Sequence, residues 1–234
     1  MPPSTRPRAP RGHLNKERVF RAAVDLADRE GLESLTMRKL AGELGVGAMS
    51  LYYYVPNKDE LVTGMVDIVF SEIELPPGDV DWRAAMRRRA LSTREALNRH
   101  RWAVGLMESQ AMPGPASIRL HDTVLGCLRE AGFSIEMTIQ AYSVLDAYIY
   151  GFALQEKTVP FDSAEDAASL AQEQVRQLEA QAQDQRLAVL ADEYPYIAEV
   201  VAGHVAKVGY DFGHAFEYGL DLILDALEER RQPA

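Results

Sequence analysis

Apolar residues recur at helical spacing along the chain, and each run is bounded by residues that start or stop helices. Val19, Ala23 and Leu26 mark the inner face of a first helix, Lys16 to Glu30, which begins after Asn15 and ends at Gly31. Met37, Leu40, Ala41 and Leu44 share one face of a second, with Thr36 placed to cap it. Gly45 stands where that helix must stop and the backbone turn sharply, a position that favours positive φ. A third short helix, about Ala48 to Val55, turns Leu51 inward and leaves Ser50, Tyr52 and Tyr54 pointing away. Asn57 caps a fourth, whose stripe Leu61, Met65, Ile68 and Val69 runs on toward Ile73.

Pro76, Pro77 and Gly78 break the pattern and predict a domain boundary. Helices are expected over about Trp82 to Arg99, Trp102 to Gln110 and Ala116 to Glu130, the last stopping before Gly132. Ile135 to Glu156 is apolar on more than one side, with stripes through Ile139, Tyr142, Ile149 and Phe152 and through Ala141, Val144 and Tyr148. About Tyr210 to Arg230 repeats that character with Phe212, Phe216, Ile223 and Leu227 beside Gly219 and Leu222. Between these two, residues 163–193 are rich in Ala, Gln, Glu and Asp and predict a polar helix with a mobile connector, a region that Pro195 ends. The expected fold is all-α.

The second and third helices carry the chemistry. Small Ala41, turning Gly45 and apolar Leu51 suit two short helices that cross steeply, and a larger side chain at position 41 would hold them apart. This is the layout of a helix-turn-helix whose second helix enters the major groove of DNA. The expected organisation is a disordered basic arm (1–14), a helix-turn-helix domain (15–75) with its fourth helix as connector, and a larger helical domain (76–234).

The stretch LTMRKLAGELGVGAMSLYYYVPNKDELV resembles the tetracycline-repressor (TetR) family of bacterial transcription regulators. REAGFSIEMTIQAYSVLDAYIYGFALQE and YDFGHAFEYGLDLILDALE are similar to the ligand-binding domain of that family's tetracycline-binding branch. The resemblance implies a homodimer, paired through helices 135–156 and 210–230, that leaves its operator when a small molecule binds. That branch holds drug-bound Mg²⁺ partly through a histidine in the segment aligned with about Gly105 to Glu108; none stands there, which argues against tetracycline.

A net charge of −10 seems wrong for a DNA-binding protein until it is divided. Residues 1–64 hold ten Lys and Arg against eight Asp and Glu, whereas residues 65–234 hold fifteen against twenty-seven. Phosphate attraction is therefore local, and the acidic remainder limits nonspecific adhesion. Arg6, Arg8 and Arg11 in the arm are placed to follow a minor groove or to remain a solvated tail. A single cysteine, Cys127, excludes an internal disulfide and fits a reducing cytoplasm. No run approaches the ~20 apolar residues of a membrane span, and the charged start MPPSTRPRAPRGH has no apolar segment of the kind a secretory signal needs.

Candidate DNA contacts follow from side-chain reach. Arg38 has the length and planar fork to bond a guanine edge, and the resemblance puts it at a position that often reads bases. Gly47, Ala48, Met49 and Ser50 form the small tip of the third helix, so direct readout is sparse and DNA shape contributes. Tyr52 and Tyr54 are placed to donate to phosphates, while Tyr53 is expected to pack into the small domain. Lys58 resembles the family's phosphate-contacting lysine, and Thr36 is both cap and candidate phosphate contact.

By analogy the effector site lies in the larger domain, with Met65, Trp102, Leu106, Met107, Met112, Tyr142, Leu145 and Phe152 as candidates for a largely apolar ligand. The histidines lack short metal-ligand spacing, and no cofactor is implied. There is no phosphate-cradling glycine loop or nucleophile elbow, so an enzyme is not expected. The rival reading is a constitutive or architectural DNA-binding dimer without an effector.

Overall fold

A computed structural model describes residues 14–76, 81–107, 113–158, 168–170, 172–173, 192–205 and 211–231. Among them every regular element is helical, in agreement with the all-α expectation: α1 (Lys16–Glu30), α2 (Met37–Leu44), α3 (Ala48–Tyr52), α4 (Lys58–Ser71), α5 (Trp82–Arg99), α6 (Pro115–Glu130), α7 (Ile135–Thr158), α8 (Pro195–Val200) and α9 (Phe212–Arg230). No helix among the described residues is long and apolar enough to cross a membrane. Two compact units result, one of Met1–Leu75 with Glu95–Val124, the other of Pro76–Arg94 with Leu125–Ala234.

Local chemistry sets the helix ends of the first unit. Asn15 Oδ1 accepts the Arg18 N–H at 2.8 Å, and Asn57 Oδ1 accepts that of Glu60 at 2.8 Å, so α1 and α4 each start on a side-chain cap. Val19, Ala23 and Leu26 of α1 are buried with Leu40, Ala41, Leu51, Leu61, Met65 and Val69 in one apolar core. The α1–α4 approach depends on Gly64, where a Cβ would stand 2.2 Å from the Phe20 ring. On α4 the inward face also takes Val66 and Phe70, while Ile68 is only half-buried.

The expected helix over Trp102 to Gln110 is absent up to Met107, which is as far as the described residues extend. Residues 100–107 form successive turns, with the Ala103 N–H donating to His100 O and that of Leu106 to Ala103 O. Trp102, Ala103, Val104 and Met107 are all buried, more of the circumference than one helical stripe covers. The short α8 was not anticipated; Pro195 opens it, consistent with proline's place in a first helical turn. The arm 1–13 and most of 163–193 lie outside the described residues.

In the second unit, α5, α7 and α9 pack around Leu128, Phe133, Leu145, Ile149, Phe216, Leu220 and Leu224. The Trp82 indole meets Phe133 edge-on at 4.9 Å and donates to Glu228 at 2.9 Å. Tyr148 stacks on Phe216 at 5.3 Å, and Phe152 meets Phe212 and Phe216 at 5.9 and 5.1 Å. Ile139 and Leu154 of α7 and Tyr218 and Leu222 of α9 nevertheless remain exposed.

Candidate nucleic-acid interface and cavity

Thr36 has extended backbone and its Oγ1 accepts the Lys39 N–H at 3.2 Å, which starts α2. At the other end Gly45 adopts φ 67° and ψ 33°, left-handed geometry that would strain any side chain. Its N–H donates to Gly42 O and that of Val46 to Ala41 O, so the helix is closed before α3 begins. Buried Leu40 and Ala41 receive buried Leu51, and Val55 seals the far side. This lock leaves Thr36, Arg38, Gly47, Met49, Ser50, Tyr52 and Lys58 exposed, with Ala48 and Tyr54 half-buried.

Tyr53 corrects the sequence reading. It is 85% exposed instead of packed, and its ring touches Tyr54 edge-on at 5.1 Å. The cause is the early end of α3 at Tyr52: beyond it the chain turns, so helical spacing no longer decides which tyrosine faces inward. The Tyr54 N–H still donates to Leu51 O, holding Tyr54 against the unit.

Charge distinguishes two of these residues. Lys16, Arg21, Arg29 and Lys39 each hold a carboxylate, from Glu60, Glu17, Glu43 and Glu30 respectively. Arg38 and Lys58 form no ion pair among the described residues. Lys58 also stands in the first turn of α4, where unsatisfied amides attract anions.

The same unit contains a cavity of about 200 Å³. Its apolar wall is Val66, Phe70, Met107 and Pro113; Thr63, Asp67, Ser117 and His121 add polar groups, and Gly114 completes the lining. Asp67 Oδ1 accepts the N–H groups of Ala116 and Ser117, each at 3.0 Å, and so caps α6. Of the effector candidates from sequence, Met107 lines this cavity, and Met65 lies fully buried in the core of the same unit. Trp102 is buried with its indole N–H on Asp28 at 2.7 Å, and Leu106 is half-buried. Met112 falls outside the described residues.

Tyr142, Leu145 and Phe152 belong to the second unit. There the Arg89 guanidinium, 1% exposed, donates to Asp146 and lies 5.7 Å from the Tyr142 ring centre. Burial, with the Asp146 charge beside it, raises the Tyr142 phenol above its ordinary value and keeps it neutral. The sequence reading missed Asp67, His121 and Arg89. For Asp67 a signal existed: one carboxylate stands in the apolar run MVDIVF of α4.

Two short helices locked at a left-handed glycine, with exposed cations free of ion pairs in the helices before and after an exposed α3, define a helix-turn-helix DNA-binding protein of the transcription-regulator class. Residues 19–65 match the family described as bacterial regulatory proteins, tetR family, and residues 75–231 match the tetracyclin repressor-like C-terminal domain. The chain belongs to this family. It is 37% identical over 227 residues to the HTH-type transcriptional repressor DrrR1 of Streptomyces coeruleorubidus, covering 94% of this chain and 80% of that protein. It is also 31% identical over 221 residues to the tetracycline repressor protein class A from transposon 1721 of Escherichia coli, covering 93% and 92%. Among solved structures, ActR of Streptomyces coelicolor in complex with actinorhodin is 26% identical, with a TM-score of 0.72 over 95% of this chain and 100% of that one.

Proposed function

We propose that this regulator is a repressor that binds a palindromic operator as a homodimer and is released by a small, largely apolar effector. The observation that carries the DNA half is the pair Arg38 and Lys58, exposed and without an ion pair among the described residues, in the helices that precede and follow α3. Arg38 reads a base edge; Lys58, Tyr52, Tyr54 and Thr36 hold phosphates; Gly47, Ala48, Met49 and Ser50 allow close approach to the groove. Residues 15–75 form the DNA-binding domain and 76–234 the ligand-binding and dimerisation domain. The tail 1–14 follows a minor groove or remains solvated.

The exposed apolar residues of α7 and α9 support pairing: Ile139, Leu154, Tyr218 and Leu222 are covered when two copies join as a four-helix interface. The dimer holds two recognition helices about 34–36 Å apart, so a modest displacement of either removes simultaneous fit. ActR, crystallised with actinorhodin, supports an effector for this chain too, and the cavity against α4 favours it over a constitutive DNA-binding dimer. Within the first unit Met107 is assigned to the effector, and Met65, Trp102, Leu106 and Met112 to its support. A regulator of this kind works in the cytoplasm, and catalysis has no part in the reading.

Selection of bound sequences from random DNA, repeated with a metabolite panel, tests the proposal. A palindromic consensus that is lost with one class of compound is expected. A monomer with no sequence preference, or tight ligand binding that never releases DNA, would reject it.

A further inference from the structure

The cavity beside α4 carries a charge at a structurally strategic point. Asp67 is a carboxylate in an apolar stretch of α4, and its Oδ1 holds two amides in the first turn of α6. The approach is close, since a Cβ on Gly114 would stand 2.2 Å from Asp67 Cγ. The same side chain lines the cavity, where Val66, Phe70 and Met107 supply the apolar wall.

No lysine or arginine is among the described residues of the lining. The positive end of α6, which would otherwise attract an anion, is already neutralised by Asp67. An entering acid therefore meets a carboxylate in partly desolvated surroundings, whereas a cation gains that carboxylate as partner.

We infer that the cavity takes a small amphipathic amine, its ammonium on Asp67 and its hydrocarbon body against Val66, Phe70 and Met107. This rests on the effector reading above and names the effector's chemical class. An ammonium on Asp67 draws charge away from the α6 amides and loosens the α4–α6 link. Lys58 lies nine residues earlier on α4, about 13 Å along the axis at 1.5 Å per residue. The helix that meets the ligand is thus the helix that carries the proposed phosphate contact.

Three probes of one size decide the matter by calorimetric titration of the full chain: 2-phenylethylammonium, 2-phenylethanol and 3-phenylpropanoate. The amine is expected to bind about tenfold more tightly than either of the others. Asp67→Asn, which retains an oxygen to cap α6 but removes the charge, is expected to lose that preference while still unfolding cooperatively, at a urea concentration lowered only slightly by the loss of a charged cap. Equal affinity for all three, tighter binding of the acid, no binding of the amine at millimolar concentration, or an intact preference in Asp67→Asn overturns the assignment. The probe comparison on the unmodified chain stands however the variant folds. Operator binding is measured separately without probe: selective DNA binding released by a different compound rejects only the amine, whereas no DNA binding rejects the functional reading itself.

Discussion

The imidazole Nδ1 of His100 lies 2.9 Å from the Asp28 carboxylate, which joins the connector after α5 to helix α1. Its Nε2 lies 3.1 Å from Glu72 at the end of α4, and Arg99 donates to the same Glu72 oxygen at 2.9 Å. A carboxylate only accepts, so both contacts are satisfied together when both ring nitrogens carry protons. Removal of the ring leaves Asp28 and Glu72 without their shared donor, although Trp102 still serves Asp28. His100→Ala is therefore expected to destabilise the chain by about 1–3 kcal/mol, measured as a lowered urea midpoint at unchanged slope. A midpoint equal to that of the unmodified protein would show that the clamp contributes nothing.

Glu72 also predicts a pH dependence. Burial alone would raise its carboxyl, but hydrogen bonds and charge from Arg99 and His100 outweigh that and hold it below the ordinary carboxylate value. A group with a depressed folded pKa contributes stability that is complete above its unfolded value and lost as pH falls through the lower folded value. Glu72→Gln is expected to be less stable than the native chain at neutral pH, with the gap closing as pH falls through the acid range. Urea midpoints taken at stepped pH check this, and a gap that stays constant with pH contradicts it.

Arg89 and Asp146 form a different kind of pair. Both are buried, and Arg89 Nε and Nη1 and Asp146 Oδ2 find no hydrogen-bond partner among the described residues. Asp146→Ala strands a guanidinium in the interior and is expected to cost about 3–5 kcal/mol. Replacing both, as Arg89→Met with Asp146→Leu, is expected to be neutral or stabilising, because desolvation is relieved on both sides. Thermal unfolding of the single and double variants distinguishes this from a pair that is net favourable, for which the double variant would be as weak as the single.

Gly219 gives a steric prediction on α9. A Cβ there would stand 2.3 Å from Tyr148 Oη, which donates to Phe216 O at 2.9 Å. The tyrosine cannot swing away freely, since its ring packs on Phe152 and Phe216. Gly219→Ala gains about 0.5–1 kcal/mol of helix preference but incurs about 1–3 kcal/mol of overpacking, so net destabilisation is expected. Adding Tyr148→Phe removes the nearest atom and is expected to recover part of the loss; strictly additive effects in that cycle would rule out the contact.

What the sequence made legible was local. Asn15, Thr36 and Asn57 act as caps and Gly45 turns left-handed, because each depends on chemistry within a few residues. Tyr53 was misplaced because a helix of five residues ends before periodicity can sort its last side chains. The turns over 100–107 escaped notice because Asp28, far away in sequence, anchors Trp102 and His100. Met107 was legible as an apolar candidate and lines the cavity, but Asp67 and Ser117 meet only when α4 and α6 are side by side, which no periodicity reports.

The sharpest functional prediction separates Arg38 from Lys58. Both are exposed cations without an ion pair among the described residues, yet they stand at different ends of the motif, one in the first turn of α2 and the other in the first turn of α4. A guanidinium on a guanine edge discriminates between bases, whereas an ammonium on a phosphate does not. Arg38→Ala is expected to weaken operator binding by about 1–3 kcal/mol and to relax preference at one base pair in each half-site. Lys58→Ala is expected to weaken binding evenly on every sequence and to make the salt dependence shallower by about one unit of slope for each lost phosphate contact. Gel shifts across a set of single-base operator variants, repeated at several salt concentrations, read both effects. Uniform weakening by Arg38→Ala would move it to the backbone, and an unchanged salt slope for Lys58→Ala would remove it from the phosphates.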